Sequence, residues 1–493
     1  MHFAMSRRAN IRCLVAASVT LPALAMLVSC ATPVPRALTS RIVPGAFTES
    51  VASSGPVWPS SQWWQGFGSP QLSEFILEAE ADNQDLAVAT ARVSEARAQI
   101  TVQRSVYSPQ LTGQSLAQRA SGSATQSADG QPNSTSNAFG LNIGASYEID
   151  LWGLARANVR AARENLKSAR FARESVALTL TANVANAYFN VLTLHERIAI
   201  ANEDIKAINS ILEVIELRVS TGKSSHLDLA QERAQVEAVA AQLPVLKEQE
   251  LAARITLAVL LGEPLEKLVV EEGRPDTLNI PVVGPGVASD LLHRRPDVAA
   301  AEANLAGAHA NLDAARAAFL PQFSLTADAG YASTAIGTLL RGPNFIWDAG
   351  LNLVQTIFDG GKLVGQKRLA AATEAELIAS YRGAVLNAYA DVESALGQVA
   401  NNREAEDHLR HEVDSAREAF DIAQLQYRQG VADLLIVLQA QQTLFGARDQ
   451  LAQIKLARLQ AVVHLYEALG GGWTEAEEDR TQLTASRDAA VRE

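Results

Sequence analysis

Between Leu154 and Ser220 the chain has neither proline nor glycine, and a comparable run from Gln366 onward is interrupted only by Gly383 and Gly397. At a helical rise of 1.5 Å per residue such a run makes a rod of roughly 100 Å, far longer than a globular core can use. Apolar residues repeat along it at heptad spacing: Ile198, Ala201, Ile205, Ile208, Leu212, Ile215 and Val219. The second rod carries Leu409, Val413, Ala416, Phe420, Ala423 and Tyr427 in the same pattern. Each rod meets a glycine, Gly222 or Gly430, which supplies the positive φ of a tight helical reversal. A return helix is then predicted, with Leu229, Val236, Val239, Leu243 and Leu246 on its packed face in the first case. Alanines at 234, 238, 240 and 241 would let helices approach closely on a second face as well.

The rods belong to a duplication. Gly222 is matched by Gly430, Leu243 by Leu451, Leu251 by Leu459 and Leu261-Gly262 by Leu469-Gly470, all 208 residues apart. Upstream, Tyr107-Ser-Pro-Gln110 is matched by Phe319-Leu-Pro-Gln322 at an offset of 212, as a short insertion would produce. Two equivalent halves in tandem follow, with boundaries expected at 71–275 and 276–472.

Each half also holds two segments of strand periodicity, expected near 108–121 and 137–152, then 319–333 and 344–358. From Phe139 to Leu151 the odd positions are apolar while Gly140, Asn142, Ser146, Glu148 and Asp150 face the other way. Phe323, Leu325, Ala327, Ala329 and Tyr331 alternate with Ser324, Thr326, Asp328 and Gly330. Phe345, Trp347, Ala349 and Leu351 alternate with Ile346, Asp348, Gly350 and Asn352, whereas Leu111–Gln118 alternates poorly. Such alternation fits a soluble sheet with one wet face. Strands of about ten residues, with aromatics near their ends, also fit a tilted membrane crossing. Four strands cannot close around a lumen, so a membrane barrel would need several chains.

Arg7, Arg8 and Arg12 precede an apolar run from Leu14 to Val28, the layout of a secretory signal over residues 1–29. The run ends at Leu27-Val28-Ser29-Cys30, which reads as a lipoprotein cleavage site with Cys30 acylated, or as an ordinary signal with a chance cysteine. Ala31 is not the aspartate of an inner-membrane retention signal. The only other cysteine, Cys13, would leave with the signal, so no disulfide is expected. Loss of the three arginines moves the formal charge from −12 to −15, which argues against nucleic-acid partners. No other apolar run is long enough for a membrane helix.

Several motifs together carry a family resemblance. Trp63-Trp64-Gln-Gly-Phe67-Gly-Ser-Pro70-Gln-Leu72, followed by Asn83-Gln-Asp85-Leu86 and Ala91-Arg92-Val93, resembles the N-terminal signature of the TolC-like outer membrane factors, nearest their NodT-type lipoprotein branch. Leu291-Leu-His-Arg-Arg295-Pro296-Asp297, running on to Pro321-Gln322, is similar to the signature of their second repeat. Asp150-Leu-Trp152-Gly153 and Phe358-Asp359-Gly360-Gly361 resemble their strand-to-helix corners. The resemblance spans residues 30 to about 472.

It implies an α+β membrane protein: a homotrimer whose 12-stranded β-barrel in the outer membrane continues into a 12-helix periplasmic coiled-coil tunnel. It implies export through a periplasmic adaptor protein and an inner-membrane efflux pump, with no cofactor. Residues 30–70 would form the lipid-anchored N-terminal segment and 473–493 an acidic tail. The hairpin tips, with Thr221, Gly222, Ser225, Gln429, Gly430 and Val431, would meet the adaptor or be turn residues only. Leu435, Ile436 and Gln439, with Asp228 and Asp433 nearby, would line the periplasmic constriction. Many relatives carry aspartate where this chain has Gln439, so apolar closure is expected here rather than a carboxylate ring. Glu148, Asp150, Asp328 and Asp348 would give the barrel an acidic lumen that favours cations.

No HExxH, Cys–His grouping or GxxxxGK[ST] loop occurs, and no catalytic constellation emerges. His226 reads as a solvated turn residue, and Arg294-Arg295-Pro296-Asp297 as a helix start with Pro296 in its first turn. Three readings stand: a small-molecule efflux channel, the channel of a protein-secretion exporter, or a lipid-anchored periplasmic coiled-coil scaffold without a pore.

Overall fold

A computed structural model describes residues 58–121, 135–271, 273–281 and 288–473. The signal, Cys30, the first part of the N-terminal segment and the acidic tail after Trp473 lie outside the described residues, as does most of the stretch between the first two expected strands.

The elements follow one another twice in the same order. Helices α1 (Pro70–Asp82) and α2 (Gln84–Arg104) lead into strands β1 (Gln110–Ser121) and β2 (Thr135–Ile149). The rod α3 (Leu154–Ser220) descends and returns as α4 (His226–Ala240) and α5 (Gln242–Leu261). The second half has α6 (Pro296–Ala317), β3 (Gln322–Ser333), β4 (Phe345–Val354), the rod α7 (Lys362–Gln429) and the return helix α8 (Leu434–Ala468). The two rods are 67 and 68 residues long, as the missing prolines require.

The first return helix differs from the continuous one expected from the sequence. It is jointed at Ala241, which keeps helical angles (φ −67°, ψ −19°). The cause is Pro244, whose ring nitrogen cannot donate to the carbonyl four residues back, at Ala240. The last strand also stops short of the expected 358. It ends at Val354, and Ile357 and Phe358 are almost fully exposed.

The four strands form one antiparallel sheet in the order β1-β2-β3-β4, so the hairpin of each half joins the other through β2 and β3. Register sorts the faces. Ile143, Ala329 and Trp347 form one row of the apolar face, and Tyr147, Leu325 and Leu351 another. Thr112, Gly144, Asp328 and Asp348 form a row of the opposite face. No described helix or strand covers the apolar face, where Trp347 is 72% exposed. Strand β1 is exposed along its whole length, yet pairs with β2 through every residue. Its poor alternation is therefore compatible with full pairing, because backbone hydrogen bonds set the ladder.

Two cores hold the helices. The larger gathers Trp63, Phe67, Leu72 and Ile76 against the middle of α3 and the upper ends of α5 and α8. Trp63 stacks on Tyr466 with ring centroids 4.8 Å apart. Asn83 ties α1 and α2 to this core: its side chain accepts from the Asp85 and Leu86 amides and donates to the Leu260 carbonyl. Arg295 similarly bonds Asp297, Asp391 and the Ala468 carbonyl at the start of α6. The N-terminal and second-repeat motifs are thus built into packing. The smaller core lies near the hairpin tips and joins Ile211 and Ile215 of α3 to Phe420, Tyr427, Leu434 and Val437.

Candidate functional site

The tips and the polar face of the sheet hold the residues singled out by sequence. At the first tip α3 ends at Ser220, and Gly222 turns the chain with φ +73°. The Gly222 amide donates to the Val219 carbonyl and the Lys223 amide to the Arg218 carbonyl, so two carbonyls of the rod's last turn are satisfied. Thr221 is exposed, and its hydroxyl donates to the Leu217 carbonyl. Ser225 then caps α4. Its Oγ accepts from the Asp228 amide at 3.1 Å, and Asp228 accepts from the Ser225 amide at 2.9 Å.

This reciprocal cap revises the placement of Asp228. Its carboxylate also accepts from Ser224 Oγ at 2.8 Å, so it is turned onto its own turn rather than standing free as a constriction liner. The Ser225 amide, and then the Ser224 hydroxyl, hold its pKa below the ordinary carboxylate value.

The second tip is built alike in backbone and differently in side chains. Gly430 has φ +76°, its amide donates to the Tyr427 carbonyl, and the Val431 amide donates to the Gln426 carbonyl. Asp433 stands at the N-cap of α8 without a side-chain capping bond and is exposed. Along α8 the packed face is Leu434, Val437, Gln441 and Leu444. Leu435, Ile436 and Gln439 fall on another face and are exposed, the two apolar ones by 58% and 49%. Helical spacing thus brings these three together, and Gln429 and Val431 are exposed beside them at the tip.

Two residues at the tips escaped the sequence reading. Arg218 Nη1 donates to the Tyr427 carbonyl at 2.6 Å, and its guanidinium lies 4.6 Å from the centre of the Tyr427 ring. Tyr427 Oη is also 3.3 Å from Ser224 Oγ. The first and second hairpins are therefore tied across the tips. Their offset of 209 between different residue types leaves no mark in the repeat.

On the sheet, Asp328 and Asp348 are direct cross-strand partners. Gly144 adjoins Asp328 in the same row, and a Cβ there would lie 2.6 Å from Asp328 Oδ1, so the glycine makes room for the carboxylate. Glu148 faces the same side two rows away, opposite Ser324. Asp150 does not belong with them. It lies past the end of β2, where its Oδ2 accepts from the Arg156 amide at 3.0 Å in the first turn of α3. The matching corner uses Asp359, which accepts from the Gly361 and Leu363 amides.

The family model described as outer membrane efflux protein matches the chain twice, over residues 75–263 and 287–471. This chain belongs to the outer membrane efflux protein family. The starts of the two matches are 212 residues apart and their ends 208, the offsets seen between the repeated residues. The pyoverdine export outer membrane protein OpmQ of Pseudomonas putida is 38% identical over 458 residues, covering 92% of this chain and 97% of that protein. The probable outer membrane lipoprotein SilC of Salmonella typhimurium is 30% identical over 442 residues, covering 88% and 93%. The solved outer-membrane channel OprN superposes with a TM-score of 0.80 at 26% identity, covering 87% of this chain and 98% of that one.

As an outer membrane efflux protein the chain is a non-enzymatic export component of the outer membrane. No described helix is long and apolar enough to cross a membrane.

Proposed function

We propose that three copies close the sheet into a barrel of twelve strands, four from each, above a tunnel built from their hairpins. The observation that carries this reading is the sheet itself: among the described residues it has four strands, no strand partner on the outer edges of β1 and β4, and an apolar face left uncovered. Open edges demand strand partners, and an uncovered apolar face of membrane length demands lipid. Cys30, acylated, anchors the mature N-terminus in the same membrane.

The tips receive a periplasmic adaptor through Thr221, Gly222, Ser225, Gln429, Gly430 and Val431, and the adaptor brings an inner-membrane pump. Leu435 and Ile436 narrow the aperture by apolar contact, with Gln439 and Asp433 at its rim. Asp328, Asp348 and Glu148 line the lumen and favour cationic or neutral cargo. The likeness to OpmQ supports a small molecule as that cargo rather than a protein.

Planar-bilayer conductance of the purified mature protein, with its mass in detergent, tests the reading. Trimers with small, discrete, cation-preferring steps are expected, and Asp328→Asn with Asp348→Asn should weaken the preference. Gln439→Asp should introduce divalent block. Monomers that never conduct would overturn the channel, and strong divalent block of the unaltered protein, abolished by changing Gln439 alone, would overturn apolar closure.

A further inference from the structure

The return helix of the first half carries a carboxylate where packing asks for an apolar side chain. Glu232, at 0% exposure, lies on the packed face of α4 with buried Val239 and partly buried Leu229 and Val236, and neither carboxylate oxygen has a hydrogen-bond partner among the described residues. Arg233 beside it points away and bonds Glu216 of α3 at 2.9 Å, which fixes the level at which the two helices face each other.

At that level α3 offers Ile215, fully buried, and Leu212 and Val219, partly buried. The charged groups around it are all engaged elsewhere or exposed. Glu213 and Glu216 of α3 are exposed, and Arg218 is held by Tyr427 of α7. Asp228 of α4 is held by Ser224 and Ser225, while Asp421 and Arg428 of α7 and Asp433 of α8 are exposed. No cation pairs with Glu232 among the described residues. An ionised carboxylate in such a place is stripped of water with nothing in return, whereas the neutral acid is tolerated.

We propose that Glu232 is a proton-operated latch on the seam between α3 and α4: protonated, it lets the helices close over it, and ionised, it loosens the return helix of the first half. The equivalent stripe of α8 carries Gln441, also fully buried and without partners for its side-chain atoms, but an amide does not titrate. Of these two buried side chains only Glu232 titrates, and the turn of α8 around Gln441 serves as the internal reference. The latch rests on the packing of this hairpin and not on the channel reading, so it stands or falls separately.

Burial alone pushes the Glu232 pKa up, from 4.5 to about 7. The closed seam therefore keeps its proton where the opened helix has lost it. The seam is firmest below pH 4.5, weakens as pH rises, and levels off once pH passes about 7.

Hydrogen exchange of the mature protein in detergent at pH 6 and pH 8, corrected for intrinsic chemistry, reads this directly. Opening of α4 should rise about tenfold between the two, with the turn of α8 around Gln441 unchanged. Glu232→Gln and Glu232→Leu should flatten the α4 response, and Glu237→Gln, at an exposed site on the same helix, should keep it. A flat α4 response in the unaltered protein, or one that survives Glu232→Gln, would overturn the latch.

Discussion

The two hairpins share a backbone plan and divide its work unequally. Each rod ends at a glycine of nearly equal φ, Gly222 at +73° and Gly430 at +76°. Past that point they part. The second hairpin fills its seam with Phe420, Tyr427, Leu434 and Val437 and returns in one unbroken helix. The first relies on a polar cap at Ser225 and Asp228, buries only Glu232 and Val239 on α4, and is jointed at Ala241. Duplication preserved the geometry that backbone sterics enforce, while side chains were free to make one arm stiff and the other conditional.

The largest expected difference lies in the seams. Phe420→Ala should destabilise the second hairpin by about 3–5 kcal/mol, since it removes a buried ring. Leu212→Ala, the counterpart 208 residues earlier and only partly buried, should cost roughly 1–2 kcal/mol. Local hydrogen exchange would show both, and equal costs would erase the contrast.

Next comes the tie between the arms. Arg218→Ala removes a hydrogen bond and a cation–π contact, together worth about 2 kcal/mol, and should raise resting conductance by freeing the tips.

Ser225→Ala should cost the first hairpin about 1 kcal/mol and leave the second untouched, because Asp433 makes no equivalent bond. The cap also has a pH signature. Asp228 has a depressed pKa, so its contribution is present above the ordinary carboxylate value and is lost as pH falls below it, and Asp228→Asn should remove that acid limb. Acid melting of α4, followed by exchange, would sharpen the point: the cap fails at low pH, whereas the Glu232 seam loosens at high pH.

The smallest effect belongs to Pro244→Ala. It should fuse α4 and α5 and protect amides near Ala241, with a stability change under about 1 kcal/mol, because the joint already keeps helical angles. Circular dichroism and exchange together would detect it.

Much of this was legible in the chain. The rods followed from missing prolines, the sheet faces from alternation, and the reversals from Gly222 and Gly430. Pro244 signalled the joint, yet the heptad running through Leu243 and Leu246 masked it, since a lost hydrogen bond does not interrupt an apolar stripe. Asp150 continued the polar alternation of β2 and so read as a lumen residue. Its capture by the Arg156 amide depends on where the strand ends, which alternation does not mark. Asp228 had the spacing of a capping box from Ser225, and the position near the tip drew attention from it.

Local rules written in one stretch of chain therefore determined the repeat, the rods, the reversals and the two-faced strands, because periodicity and glycine or proline sterics act within a few residues. Tertiary structure alone decided what met across the sequence. Arg218 reaches Tyr427, Asp328 opposes Asp348, and Arg197 of α3 pairs with Asp449 of α8. It also decided that Glu232 would be enclosed without a partner, since the cost of burying a charge is set by what the neighbouring helix brings and by the water it excludes.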